Sequence, residues 1–69
     1  MHLRHTIGEK RRKAGMTQQM LADKLGWTLR KLTSYERNER IPPLPEAIEI
    51  AEALGTTVNE IWTLEKEGN

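Results

Sequence analysis

The chain has 69 residues, 36% of them hydrophobic and 30% charged, with no cysteine and a net charge of only +1. A chain this short makes one domain, and it buries only about 60% of the surface that its unfolded form exposes. The lack of thiols excludes disulfides and thiolate metal sites and fits a reducing cytoplasm, while no apolar run approaches a membrane span or a signal-peptide core.

In chain order the pattern predicts five helices and almost no strand. The first runs from Leu3 to Ala14 with Leu3 and Ile7 on one face; Gly8 weakens it by about 1 kcal/mol relative to alanine, and Gly15 stops it. Thr17 can cap the second helix, whose apolar face is Met20, Leu21, Ala22 and Leu25. Gly26 then supplies the positive φ of a sharp exit. Thr28 can cap the third, in which Leu32 and Tyr35 face inward and Leu29, Arg30, Lys31, Ser34 and Arg37 are left outside. That outward set is short, polar and basic, as a surface that enters a DNA groove needs to be. Asn38, which tolerates the left-handed conformation, is a suitable end for this helix. The prolines of IPPLP suit a rigid linker and a first helical turn. A fourth helix over Pro45 to Leu54 would bury Leu44, Ala47, Ile48, Ala51 and Leu54, with Gly55 as its stop. A fifth begins after Thr57 with Val58, Ile61 and Trp62 on one side. Residues 1–64 form the domain, and 65–69 a short flexible tail.

The small net charge conceals a division. Residues 1–40 hold ten Lys and Arg against four acids, a net of +6, whereas residues 41–69 hold Lys66 against six Glu, a net of −5. A molecule so divided would present its basic half to a polyanion.

Three blocks, GMTQQMLADKLGWT, YERNERIP and AIEIAEALGTTVNEIW, stand in an order and at separations that resemble the Cro/C1-type (Xre-family) helix-turn-helix domain of phage repressors and bacterial regulators. The resemblance covers Ile7 to Trp62. It implies a compact, all-α, five-helix lambda-repressor-like fold with the helix-turn-helix at helices two and three. It implies a sequence-specific, cytoplasmic double-stranded-DNA-binding regulator, most simply a repressor that binds a palindromic operator as a homodimer. Residue by residue, it gives Gln18 a phosphate contact and a bracing role. Thr17 and Thr28 at the two helix starts, and Arg37 and Arg40 beyond the third helix, also fall at phosphate-holding positions. Leu29, Arg30 and Ser34 fall where base edges are read, with Lys31 beside them. Arg11 and Glu36 match an ion pair that ties helix one to the end of helix three.

The chain departs from the family pattern at four places. Leu29 stands at a commonly polar reading position, so it would pack on a thymine methyl and leave Arg30 as the guanine reader. Asn38 replaces a glycine, Glu39 stands where positively charged residues would be expected and weakens phosphate attraction locally, and Lys10 occupies an aliphatic site of helix one.

A single domain reads half a site, so the C-terminal part around Val58, Ile61, Trp62 and Leu64 is the expected dimer contact, with tryptophan a favoured anchor. A second reading is an antitoxin whose acidic C-terminal half binds a protein toxin; a third is a helical scaffold that has lost DNA binding. No nucleophile–base–orienter trio is present, so an enzyme is not expected. Neither a cofactor nor a small-molecule ligand is implied. His2 and His5 lack further ligands for a metal.

Overall fold

The computed structural model describes residues 2–65. Its elements are β1 (His2–His5), α1 (Ile7–Lys13), α2 (Gln18–Leu25), α3 (Leu29–Glu36), α4 (Leu44–Ala53), α5 (Val58–Ile61) and β2 (Trp62–Glu65). All five expected helices form. The all-α expectation is corrected by a two-stranded antiparallel sheet that joins the two ends of the described chain.

The first helix therefore begins at Ile7 rather than Leu3. Pairing His2 with Glu65, Leu3 with Leu64, Arg4 with Thr63 and His5 with Trp62 satisfies backbone groups that a longer helix would have bonded locally. Leu3 and His5 thus share one face of the sheet with Leu64 and Trp62, and the Arg4–Glu65 ion pair lies on the other. At the junction the Thr6 amide donates to the Ile61 carbonyl at 3.0 Å. The Ile7 amide, at the start of α1, donates to His5 Nδ1 at 3.3 Å. Since the Thr6 side chain makes no capping bond, the imidazole serves one of the amides that a helix start leaves unpaired. The fifth helix is only one turn long, because Trp62 already has the extended backbone of β2. Glu65, expected to open the flexible tail, ends that strand; 66–69 lie outside the described residues.

Ile7, Leu21, Leu32, Tyr35, Ile50 and Ile61 are fully buried and form the core with Ala22 and Ala51. Two helix faces are rotated from their expected phase. Met20 lies half exposed at the surface, while Leu21 and Ala22 carry the inner face of α2. In α4 the buried set is Ala47, Ile50 and Ala51, with Leu54 packed against it, and Leu44 and Ile48 are exposed. Two apolar stripes run along α4, and the sequence pattern merges them; only the one containing Ile50 meets the core.

Candidate nucleic-acid interface

Both helix starts of the central motif are built as their residues dictate. Thr17 Oγ1 accepts from the Met20 amide and Thr28 Oγ1 from the Lys31 amide, each at 3.1 Å, which satisfies one otherwise unpaired donor per helix. Gly26 closes α2 at φ 74° and so turns the chain within two residues into α3. Asn38 stands at φ 62° after α3 and allows the Glu39 and Arg40 amides to fold back on the Ser34 carbonyl at 2.9 and 3.2 Å. Arg37 to Arg40 are thus held against the last turn of α3.

The bracing of α3 is ionic. Arg11 Nε donates to Glu36 Oε2 at 3.1 Å, the two side chains being only 11% and 10% exposed. Arg11 Nη1 also donates to the Met16 carbonyl at 2.9 Å, and Gln18 Nε2 to Glu36 Oε1 at 3.2 Å. Glu36 therefore gathers α1, α2 and the end of α3 into one network, and the expected Arg11–Glu36 pair is present. Gly8 borders it: a Cβ there would lie 3.6 Å from Glu36 Oε1 and 3.2 Å from Arg12 Nη1.

Leu29 and Arg30 project from the first turn of α3 into solvent, and Arg37 and Arg40 are exposed after its end. With Thr17 and Thr28 also exposed, the expected phosphate-facing residues other than Gln18 lie open to solvent. The ammonium and hydroxyl of the motif are placed differently. Ser34 was expected outside, yet it is only 9% exposed and its hydroxyl donates to the Lys31 carbonyl at 2.7 Å. It lies in a depression of about 380 Å³ whose lining includes Thr28, Arg30, Glu39 and Arg40. Lys31 is half-buried and its Nζ bonds Glu46 Oε2 at 2.8 Å.

Glu46, on the first turn of α4, carried no sequence signal beyond a favourable place at a helix start. It accepts from the Tyr35 hydroxyl as well as from Lys31. The Lys31 hydrogen bond, followed by that of Tyr35, holds its carboxyl below the ordinary glutamate range. Burial first, and the carboxylate beside it second, push the Tyr35 phenol up. Trp27 and Tyr35 meet edge to face at 5.7 Å, Lys31 Nζ lies 4.5 Å over the Trp27 ring, and the Arg40 guanidinium lies 5.7 Å over Tyr35. The two aromatic rings thus pack within the protein, as the apolar phase of the sequence suggests.

Ile61, expected at a contact between copies, is wholly buried in the core and offers nothing to a partner. Val58 and Trp62 instead line an apolar groove of about 250 Å³ with Leu3, Ile41, Leu44 and Ala47. Leu64 is exposed on the same sheet face as Leu3 and Trp62. Among the described residues, no group of three or more His, Cys, Asp or Glu could hold a metal ion. None of the described helices is long and apolar enough to cross a membrane.

A short outward helix, capped at its start and braced from behind by two others, defines a helix-turn-helix. The helix-turn-helix family model matches residues 7–61, and the chain belongs to that Cro/C1-type family of DNA-binding transcriptional regulators. It is 34% identical over 67 residues to an uncharacterized HTH-type transcriptional regulator of Methanothermobacter thermautotrophicus, covering 96% of this chain and 97% of that protein. It is 28% identical over 61 residues to the cryptic phage CTXphi transcriptional repressor RstR of Vibrio cholerae, covering 88% of this chain and 54% of the repressor. The chain therefore spans about half the length of RstR and nearly all of the archaeal regulator.

Proposed function

We propose that the chain represses transcription in the cytoplasm, binding a palindromic operator as a homodimer with α3 of each copy in the major groove. The observation that carries this reading is the pairing of Leu29 and Arg30, exposed on the first turn of α3, with Arg37 and Arg40 exposed just after it. Arg30 reads guanine through O6 and N7, Leu29 packs on a thymine methyl, and Ser34 contributes from the floor of the depression. Arg37, Arg40, Thr17, Thr28 and Gln18 hold phosphates, with the amides at the start of α2 as an additional anion seat. Repression is steric, since an occupied operator excludes polymerase.

The apolar groove and the exposed Leu64 supply the contact between copies, with Val58 and Trp62 at its centre. Half-sites about 34 Å apart follow from one helical turn of DNA between two symmetry-related α3 helices. The RstR relative, named as a transcriptional repressor, favours repression over activation. Selection of bound sequences from random duplex DNA tests the reading: a two-fold symmetric motif supports it. Sedimentation of Trp62→Ala then tests the contact, which should shift the protein toward monomer while its helicity is retained. An unchanged dimer would move the interface elsewhere, and recovery of a protein toxin bound to the groove would favour the antitoxin reading.

A further inference from the structure

We propose that Glu46 is a positioning residue for DNA binding: it holds Lys31 in the cleft between α3 and α4 and withholds that ammonium from the phosphate backbone. The inference rests on the DNA-binding reading and concerns what sets the strength of that binding. Lys31 belongs to the first turn of α3 and would be counted, from its place in the sequence, among the groups that meet DNA. Its surroundings say otherwise. The ammonium is enclosed between a carboxylate at 2.8 Å and the face of Trp27 at 4.5 Å, with the Lys31 side chain 33% and that of Glu46 24% exposed.

The carboxylate is itself fixed. Its second oxygen accepts from the hydroxyl of Tyr35, which is fully buried and packed edge to face on Trp27. Its place on the first turn of α4 also favours negative charge. Glu46 cannot follow Lys31 outward without breaking the Tyr35 bond. To reach a phosphate, Lys31 must therefore surrender both a charge-assisted hydrogen bond and a cation–π contact. Arg30 and Arg37 are exposed and have no ion-pair partner among the described residues, so they meet DNA without giving anything up. Glu46 thus separates Lys31, which joins α3 to α4, from Arg30 on α3 and Arg37 just after it, which stay available.

Binding to a random-sequence duplex over a salt series reads this division directly, because each phosphate neutralised adds about 0.9 to the slope of log K against log salt. Lys31→Met should leave the slope as in the wild type. Glu46→Gln keeps an acceptor for Tyr35 but removes the charge that holds Lys31. It should steepen the slope by about 0.9 and tighten binding roughly fivefold at physiological salt, the gain expected from one further released counterion. Combining Lys31→Met with Glu46→Gln should restore the wild-type slope.

A Lys31→Met variant whose own slope flattens by about 0.9 would overturn the proposal, since Lys31 would then already hold a phosphate. So would a Glu46→Gln variant with an unaltered slope, or one whose affinity falls only in step with its thermal stability. If Glu46→Gln does not fold, Lys31→Met decides alone. Failure of the wild type to bind any duplex would instead remove the DNA-binding reading, and this inference with it.

Discussion

Glu36 receives Arg11 Nε on one carboxylate oxygen at 3.1 Å and Gln18 Nε2 on the other at 3.2 Å, so that one acidic side chain at the end of α3 fastens that helix to both preceding ones. The pair is nearly buried, so an unmatched charge left there is poorly solvated. Glu36→Ala should cost about 3 kcal/mol in urea unfolding, the lower end of what breaking a buried ion pair costs. In a double-mutant cycle with Arg11→Ala, much of that cost should disappear, because the second deletion removes the stranded guanidinium. Additive losses would mean that the two charges do not stabilise each other.

Gly8 borders that network without need of its conformational freedom, and only the far end of Arg12 crowds its added Cβ closely. Gly8→Ala should therefore stabilise α1 by about 0.5 kcal/mol, somewhat less than the interior propensity difference because the site is in the first turn. A rise in thermal midpoint would show it; a fall would place a less yielding neighbour at Gly8.

Arg30 and Arg37 are both exposed cations, yet they should fail differently. Arg30→Ala should relax preference at one base pair by about 1–3 kcal/mol, whereas Arg37→Ala should weaken all sequences alike and flatten the salt slope by about 0.9. Competition binding against single-base operator variants separates these outcomes. Identical behaviour of the two variants would remove the distinction between reading and holding.

Leu29 has no hydrogen-bonding group and is exposed at the leading position of α3. Replacing the contacted thymine by deoxyuridine should cost about 0.8 kcal/mol, the worth of one buried methyl group. The same replacement should cost Leu29→Ala little. Equal sensitivity in both proteins would place the methyl against another side chain.

Glu46 and Tyr35 make stability depend on pH at both ends. The folded carboxyl titrates below the ordinary glutamate value of 4.5, so the unfolded chain binds more protons over the acid range. This stabilisation is complete above that value and is lost as pH falls through the lowered one. The folded phenol titrates above its ordinary value of 10.0, so its contribution is complete below that value and is lost as pH rises through the raised one. Urea unfolding over a pH series should show both limbs, and Glu46→Gln should flatten the acid limb and shrink the alkaline one.

The legible parts of this molecule were those settled within a few residues. Thr17 and Thr28 bond amides three positions on, and Gly26 and Asn38 adopt their left-handed conformations for reasons that each residue carries itself. The basic surface at Arg30, Arg37 and Arg40 was legible from the charge division. The N-terminal strand was not, because the backbone that pairs with Leu3 lies at Leu64, and helical spacing of Leu3 and Ile7 was equally satisfied by sequence alone. The inner face of α4 was misphased because Ile48 and Ile50 are equally apolar, and only packing against the core distinguishes them. Ile61 shares the apolar side of Val58 and Trp62 in the sequence, but its neighbours close around it. Helical phase points Lys31 and Ser34 outward, but Lys31 finds its partner in Glu46 on α4, and the turn from Arg37 to Arg40 folds back on the Ser34 carbonyl; neither return of the chain can be read from α3 itself.

Selection of bound sequences from random duplex DNA, repeated at two salt concentrations, tests the central claim most directly. The structure leads to an enriched motif with two-fold symmetry, half-sites about one helical turn apart, and a guanine beside a thymine in each half. Total binding should fall steeply at the higher salt while the motif persists. Enrichment of no motif at either salt, with binding that depends on salt alone, would contradict sequence-specific recognition by α3.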